Sequence, residues 1–382
     1  MLLVTLAALA TGLLMDGSVA TELRGGTSEG GEDPNAALVS GELRARLPGP
    51  DGELQFGLAP SALLGRDRRE LFARASGEGD LRIGKRATAR LRQGLGYGSI
   101  DFSPLAPAAK PLPGEPVNVQ PPPSARFVKI EESNTTMLVE VAASRRLRVL
   151  GSASWVVGGG ADAEARLLVP LARGPQAHAT VEWSATRVGK LSFDLGAADT
   201  SYSNDRRASV ASLLVGWTAH TSRNTHLALS VGPGIGRAQI GGQPDIISAY
   251  AVATGDLHAK VGRDLSVAVG ASLEPQGDPL SGVLVERTSA RALISLGKPA
   301  TPAVSALLLA SRVLTSSDSS PLFPQPGDLY VRGEVGGVLP LGARSSLVAG
   351  VRAAYLGRPL PGQPARQGAA FVRYSADLPL LR

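Results

Sequence analysis

The residues of this sequence best suited to proton transfer or metal ligation are its four histidines, His178, His220, His226 and His258. Imidazole does both jobs near neutral pH. His220 and His226 also bracket a candidate nucleophile, Ser222, in the stretch HTSRNTH. A serine hydroxyl needs a base held within hydrogen-bond reach before it can attack an ester. That stretch reads as a tight turn, and a turn does not hold a nucleophile against its base. No two histidines have the spacing of a helical metal site, and no HExxH motif occurs. The 382 residues include no cysteine, which excludes thiol catalysis, thiolate metal centres and disulfides. GPGIG at 232–236 lacks the GxGxxG spacing, and no helix start follows that could hold a phosphate. Gly232, Gly234 and Gly236 instead fall on one face of a strand, as do Gly94, Gly96 and Gly98, where they leave room or relieve curvature. The expectation is a protein with no catalytic, metal-binding or cofactor-binding residues and no cofactor, and therefore not an enzyme.

The arginines are the more informative chemistry. Arg44, Arg46, Arg90, Arg92, Arg146, Arg148, Arg166, Arg291, Arg332, Arg352 and Arg373 all fall on the polar side of alternating runs. Glu42, Glu164, Glu182 and Glu334 share those faces. Two readings stay open for this set. It forms a positively biased lumen that attracts anions, or an internal salt-bridge network that stiffens a wall.

The elements that position these residues are strands. RLRVLGSASW from Arg146 puts Leu147, Val149, Gly151, Ala153 and Trp155 on one face and Arg146, Arg148, Ser152 and Ser154 on the other. AHATVEWSAT from Ala177 and DLSVAVGA from Asp264 alternate in the same way. Side chains of period two belong to two-faced ribbons, and helical spacing fits them less well. A repeated turn punctuates them. GKRATAR, SRRLRV, SRNTHL, GRDLSV, GKPATP and GARSSL each put a small residue and a basic one before a new run. PGPDG at 48–52 and ARGPQ at 172–176 are expected to do the same.

Nine longer connections alternate with these eight turns. The largest is the Pro-rich segment 103–126; others begin near Gly196, Glu274, Thr315 and Gly357, with shorter ones near Gly31, Arg66, Gly159 and Gly241. The count predicts about eighteen strands (16–18), with both termini on the short-turn side. This is an all-β fold, a transmembrane antiparallel up-and-down β-barrel with short periplasmic turns and longer outer loops. Trp155, Trp183, Trp217, Tyr97, Tyr250 and Tyr355 are expected to form a sparse aromatic belt.

The N-terminus carries an apolar run, Leu2–Leu14, too short to span a bilayer as a helix. Ser18 and Ala20 fit the small residues before a cleavage site, so residues 1–20 read as a signal peptide and 21–382 as one outer-membrane barrel with outer loop 103–126. No basic n-region precedes the run, which points to a start upstream of Met1. The formal charge is +6, with aromatics at 4%. The basic residues are dispersed rather than clustered with stacking aromatics, which argues against a nucleic-acid partner.

LLVGWTAHTSRNTHLALSVGPG, Leu213–Gly234, resembles the strand–turn–strand units of Gram-negative outer-membrane barrels. YGSIDFSPL, Tyr97–Leu105, is similar to a subset of these from high-GC bacteria. In size, strand number and arginine-rich turns the chain resembles the Wzp-type porins. That resemblance implies an eighteen-stranded outer-membrane channel of polysaccharide export, set among outer-membrane lipids. It also implies two partners, a periplasmic polysaccharide-export protein and an anionic or neutral glycan. Such barrels commonly end in an aromatic residue; this chain ends in Arg382. Two other readings remain: a plugged structural or adhesive barrel acting through its loops, and a barrel hydrolase using Ser222.

Overall fold

The structure is a computed structural model, which describes residues 14–28, 35–66, 68–103, 105–106, 126–222, 224–297, 301–317, 329–357, 359 and 364–381. Eighteen strands follow one another: β1 (Leu14–Ser28), β2 (Ala36–Gly49), β3 (Gly52–Leu64), β4 (Arg69–Ile83), β5 (Ala87–Asp101), β6 (Phe127–Ala142), β7 (Leu147–Gly160), β8 (Ala172–Trp183), β9 (Gly189–Tyr202), β10 (Arg206–Ser222), β11 (Thr225–Ile240), β12 (Ile246–Val261), β13 (Leu265–Gly277), β14 (Leu284–Leu296), β15 (Ala303–Ser316), β16 (Leu329–Gly342), β17 (Ser345–Leu356) and β18 (Arg366–Leu381). Each pairs with its sequence neighbours, and β1 pairs antiparallel with β18 as well as with β2. The sheet therefore closes with no free edge. Lipid demands this, because it offers backbone groups no other partner. No helix among the described residues is long and apolar enough to cross a membrane.

The alternation in the sequence becomes an inside and an outside. On β7, Val149 and Trp155 are exposed while Arg148, Ser152 and Ser154 are half-buried on the opposite face. On β11, Leu229, Val231 and Ile235 point outward; His226, Gly232, Gly234 and Gly236 point inward. Leu71 is 69% exposed and Val231 63%. A barrel that displays its large apolar residues and encloses its arginines is inverted relative to a water-soluble protein. Its outer band is suited to acyl chains.

Eight connections of two to six residues lie at the end where β1 begins and β18 finishes, and nine at the other end. Gly84 and Gly262 open two of the short turns at φ +66° and +69°, a conformation in which a Cβ is disfavoured. By their lengths, the short-turn end is periplasmic and the other faces outward. Trp183 and Trp217 flank Leu191 in register near the turn end. Tyr97, Trp155 and Tyr355 lie toward the loop end, and all five are exposed. Tyr250, expected in this belt, instead faces inward and packs beside Tyr202 and Leu284.

The strand number is as expected, but several connections are not. Ala172–Gln176, expected as a turn, is the start of β8; the turn of that hairpin is 184–188. The cause is Asp162. Its carboxylate accepts the Ala165 N–H at 2.9 Å and caps a six-residue helix, α1 (Ala163–Leu168). That helix replaces the strand expected there and shifts the hairpin. The loops expected from Gly196 and Glu274 are mostly strand. Only 203–205 and 278–283 remain as connections, the first turned by Asp205 at φ 58°. The described part of the Pro-rich segment does not extend outward. Ser103, Leu105 and Ala106 turn into the barrel, and Leu105 is fully buried. Residues 107–125 lie outside the described residues. The expected cleavage point after Ala20 falls inside β1, while residues 1–13 are outside the described region.

Candidate functional site

The lumen is lined by charges that the strand register brings into rows. In the turn-side half, acids and bases alternate from strand to strand. Glu78 and Asp80 on β4 face Arg90 and Arg92 on β5; Glu140, Arg148, Glu182 and Lys190 follow on β6, β7, β8 and β9. Arg92 Nε donates to Glu78 at 2.8 Å, and Arg90 lies between Glu78 (3.1 Å) and Asp80. Arg148 Nε donates to Glu140 at 2.6 Å and lies 3.9 Å from Glu182, which Lys190 Nζ approaches at 3.4 Å. The side chains of these pairs are between 27% and 51% exposed, so each pair contributes roughly 0–1 kcal/mol. The row is close to neutral in sum.

His220, His226 and His258 extend this row on β10, β11 and β12. They are direct register partners, with ring centroids 4.9 and 6.4 Å apart. The sequence separates them by up to 38 positions, but hairpin pairing puts three of the four histidines side by side. No group of histidine and acidic residues suited to a metal ion occurs among the described residues. Ser222 Oγ accepts from Asn224 N and donates to Thr225 Oγ1, both at 3.1 Å, rather than bonding either histidine.

The loop-side half is more tightly knit and carries more positive charge. Glu22 on β1 accepts from Arg352 on β17 at 2.5 and 3.0 Å and from Arg373 on β18 at 2.9 and 2.5 Å. Arg352 also bonds Glu334 at 2.8 Å and lies 3.7 Å over the Phe371 ring. Arg332 stands 3.5 Å from Glu334. Arg24 and Arg126 both bond Asp101, at 2.6 and 3.2 Å. Five guanidiniums thus face three carboxylates. The Arg24–Asp101 pair is nearly fully buried and joins β1 to β5, strands that are not neighbours, so it spans the interior.

The same arginines hold the start of the Pro-rich segment inside the barrel. Arg352 donates to the Leu105 carbonyl at 3.1 Å, and Arg332 donates to that of Ala106. A second inward segment, 278–283, is fixed by the fully buried pair Asp278–Arg287 at 2.8 Å. Its Ser281 carbonyl accepts from Asn204 and Arg206 at 2.9 Å each. Leu280 of this segment packs against the buried cluster of Val128, Ile130, Ala165 and Val169, against which Phe72 and Phe102 also pack, so an apolar cluster crosses the loop-side lumen. Deeper in, a cavity of about 240 Å³ is lined by Ser152, Ser154, Gln176, His178, Ser212 and Glu274. Hydroxyl, amide and carboxylate groups of this kind exchange hydrogen bonds with a hydroxylated ligand.

Of the arginines read from sequence, Arg44, Arg46, Arg90, Arg92, Arg148, Arg291, Arg332, Arg352 and Arg373 lie on inward positions of strands. Arg44 bonds Glu42 at 2.6 Å and Arg291 bonds Asp256 at 3.0 Å; Arg46 has its Nε buried without a partner. Arg146 sits in the exposed turn before β7, not on a wall. Arg166 and Glu164 sit on α1 at the rim, where Arg166 bonds the Gly160 carbonyl at 3.0 Å and lies 3.3 Å from Glu131. Sequence reasoning passed over Glu22, Arg24, Asp101 and Glu140. Their inward parity was readable once strand limits were known, but Glu22 and Arg24 adjoin the expected cleavage point.

Two solved structures share this architecture over nearly their whole length. One is OccK2 (OpdF) of Pseudomonas aeruginosa in complex with glucuronate, at 15% identity and TM-score 0.50, covering 97% of this chain and 99% of that one. The other is the outer membrane protein OpdK of the same organism, at 11% identity and TM-score 0.50, covering 96% and 98%. At such identities the likeness is one of fold. No curated protein matches the chain in sequence. The EpsX exopolysaccharide export family matches residues 66–263, which is more than half of the chain. An eighteen-stranded closed barrel, apolar outside and ionic within, whose sequence matches that model is a member of the EpsX exopolysaccharide export family, built as an outer-membrane β-barrel.

Proposed function

We propose that the lumen is the conduit by which exopolysaccharide crosses the outer membrane. The observation that carries this reading is a closed barrel whose lumen is lined by ion pairs and hydroxyl groups up to the apolar cluster at its loop side, in a chain of an export family. A hydrated sugar chain exchanges hydrogen bonds with such a wall, whereas the apolar exterior offers it none. Arg90, Arg92, Arg148 and Glu182 line the turn-side path; Arg24, Arg332, Arg352 and Arg373 line the narrowing. Ser103, Leu105 and Ala106 act as the constriction. A hydrolase role gains nothing from the geometry at Ser222. Glycan and a periplasmic export protein are the partners this reading implies.

The crossing of the lumen by Leu280 and Phe102 favours a second reading, a plugged barrel that works through its surface loops. One experiment separates them. In planar bilayers, a variant lacking residues 104–123 is expected to conduct severalfold more than the intact protein. No conductance from either protein would overturn the conduit and favour the plugged barrel.

A further inference from the structure

The basic turns are not used by the conduit as described. By sequence, the eight turn segments hold nine Lys or Arg against two Asp. The nine loops hold twelve Asp or Glu against six Lys or Arg. The two ends of the barrel therefore carry opposite charge. Partnering differs as well. The luminal Arg90, Arg92, Arg148 and Arg352 each meet a carboxylate. On the turns, Lys85, Arg86, Arg145, Arg187, Arg263 and Arg344 are exposed, and none of the six is in an ion pair among the described residues. They sit on five of the eight turns.

Strands lie about 4.8 Å apart, so adjacent hairpin turns stand about 10 Å apart. That is close to the Debye length of about 8 Å at physiological salt. The fields of neighbouring turns overlap into one positive ring around the periplasmic mouth. Just inside it, the acid–base row from Glu78 to Lys190 is neutral in sum. At the far end the loops are acidic.

We infer that the ring of basic turns is a capture site for a polyanionic polysaccharide, so that the exported polymer is acidic. This rests on the conduit reading above. Charge confined to the mouth raises the encounter rate of a polyanion. The neutral row beyond it offers hydrogen bonds without a deep electrostatic trap, so the chain slides on to the loop-side narrowing, where five guanidiniums are held by Asp101, Glu22 and Glu334 and leave a further contact for the polyanion. The acidic loop end does not hold the polymer as it leaves. A bilayer offers the same ring a different anion, the phosphate headgroups beside Trp183 and Trp217. The partnered, polar track leading inward from the ring favours the polymer.

The test is single-channel blockade by polygalacturonate, with neutral dextran of matched length as control. The proteins are the full chain and its K85Q/R86Q/R145Q/R187Q/R263Q/R344Q variant. Both are expected to conduct. In the native protein, polygalacturonate added on the turn side should block at least tenfold more often than from the loop side, and more often than dextran. The bias should fall as salt rises. In the variant the two sides should differ by less than threefold. Equal blocking from both sides, or an unchanged bias in the variant, overturns the capture site while the retained conductance leaves the conduit standing. The same holds if the variant loses only its association with phosphatidylglycerol vesicles; the ring then serves lipid. No conductance in either protein overturns both readings.

Discussion

Glu22 is the most heavily engaged carboxylate of the lumen, 3% exposed and shared by Arg352 and Arg373. Its substitution by alanine leaves two guanidiniums, Arg352 fully buried and Arg373 a quarter exposed, with Glu334 as the remaining carboxylate bonded to Arg352 among the described residues. Breaking a buried pair from one side costs about 3–5 kcal/mol. Glu22→Ala is expected to lower the urea midpoint of the micelle-folded barrel clearly, whereas Glu42→Ala, in an exposed pair, should shift it little. Equal shifts would mean that Glu22 is solvated. At this scale the sequence was half legible. Period two told which way Arg352 and Arg373 point, because parity is local. It did not tell that their partner lies 330 and 351 residues away. That pairing depends on which strands closure brings together.

Among the elements, β1 sets a local pattern against the pairing of a strand. Leu2–Leu14 with Ala20 reads as a leader followed by a cleavage site, yet Leu14–Ala20 is paired on both sides, with Arg46–Ser40 of β2 and with the end of β18. Cleavage after Ala20 would strip partners from both neighbours at the turn end and open edges that lipid does not tolerate. The mature chain is expected to retain Leu14. Terminal sequencing of protein from outer membranes checks this, and a first residue of Thr21 would refute it. The misplaced turn at Ala172–Gln176 has a similar origin. Gly174 and Pro175 are turn residues by type, but the strand limit was set by a cap three residues before Ala165. The turns at Lys85, Arg145, Arg263 and Arg344 were found by a small residue followed by a basic one, whereas that of Arg187, displaced by the helix, was not.

Taken whole, the molecule was legible as a barrel because alternation repeats over eighteen strands and punctuation over seventeen connections, so single errors cancel. The inward course of Ser103, Leu105 and Ala106 and of 278–283 was not legible. It depends on contacts across the lumen, such as Leu280 against the cluster of Val128, Ile130, Ala165 and Val169, that no local pattern encodes. The inside–outside division makes a direct prediction. Val231→Arg places a guanidinium on the lipid face in the middle of β11 and should destabilise the barrel by about 2–4 kcal/mol. Ser154→Arg places the same group in the polar interior, beside the cavity, and should leave folding in lipid nearly unchanged. Unfolding by urea in vesicles compares them, and equal losses would contradict the assigned faces.

The seam between β1 and β18 joins residues near the two ends of the chain, Met15 with Leu381 and Glu22 with Arg373. Contacts of such sequence separation form late, since the loop they close is the longest the chain offers. The first strand thus carries a buried acid whose neutralising bases arrive with the last two. A chain cut short before Arg352 would present a bare carboxylate, an open strand edge and no way to hide either. Closure is thereby registered in the wall itself: the barrel can seal only once β17 and β18 are both present to pair with what precedes them.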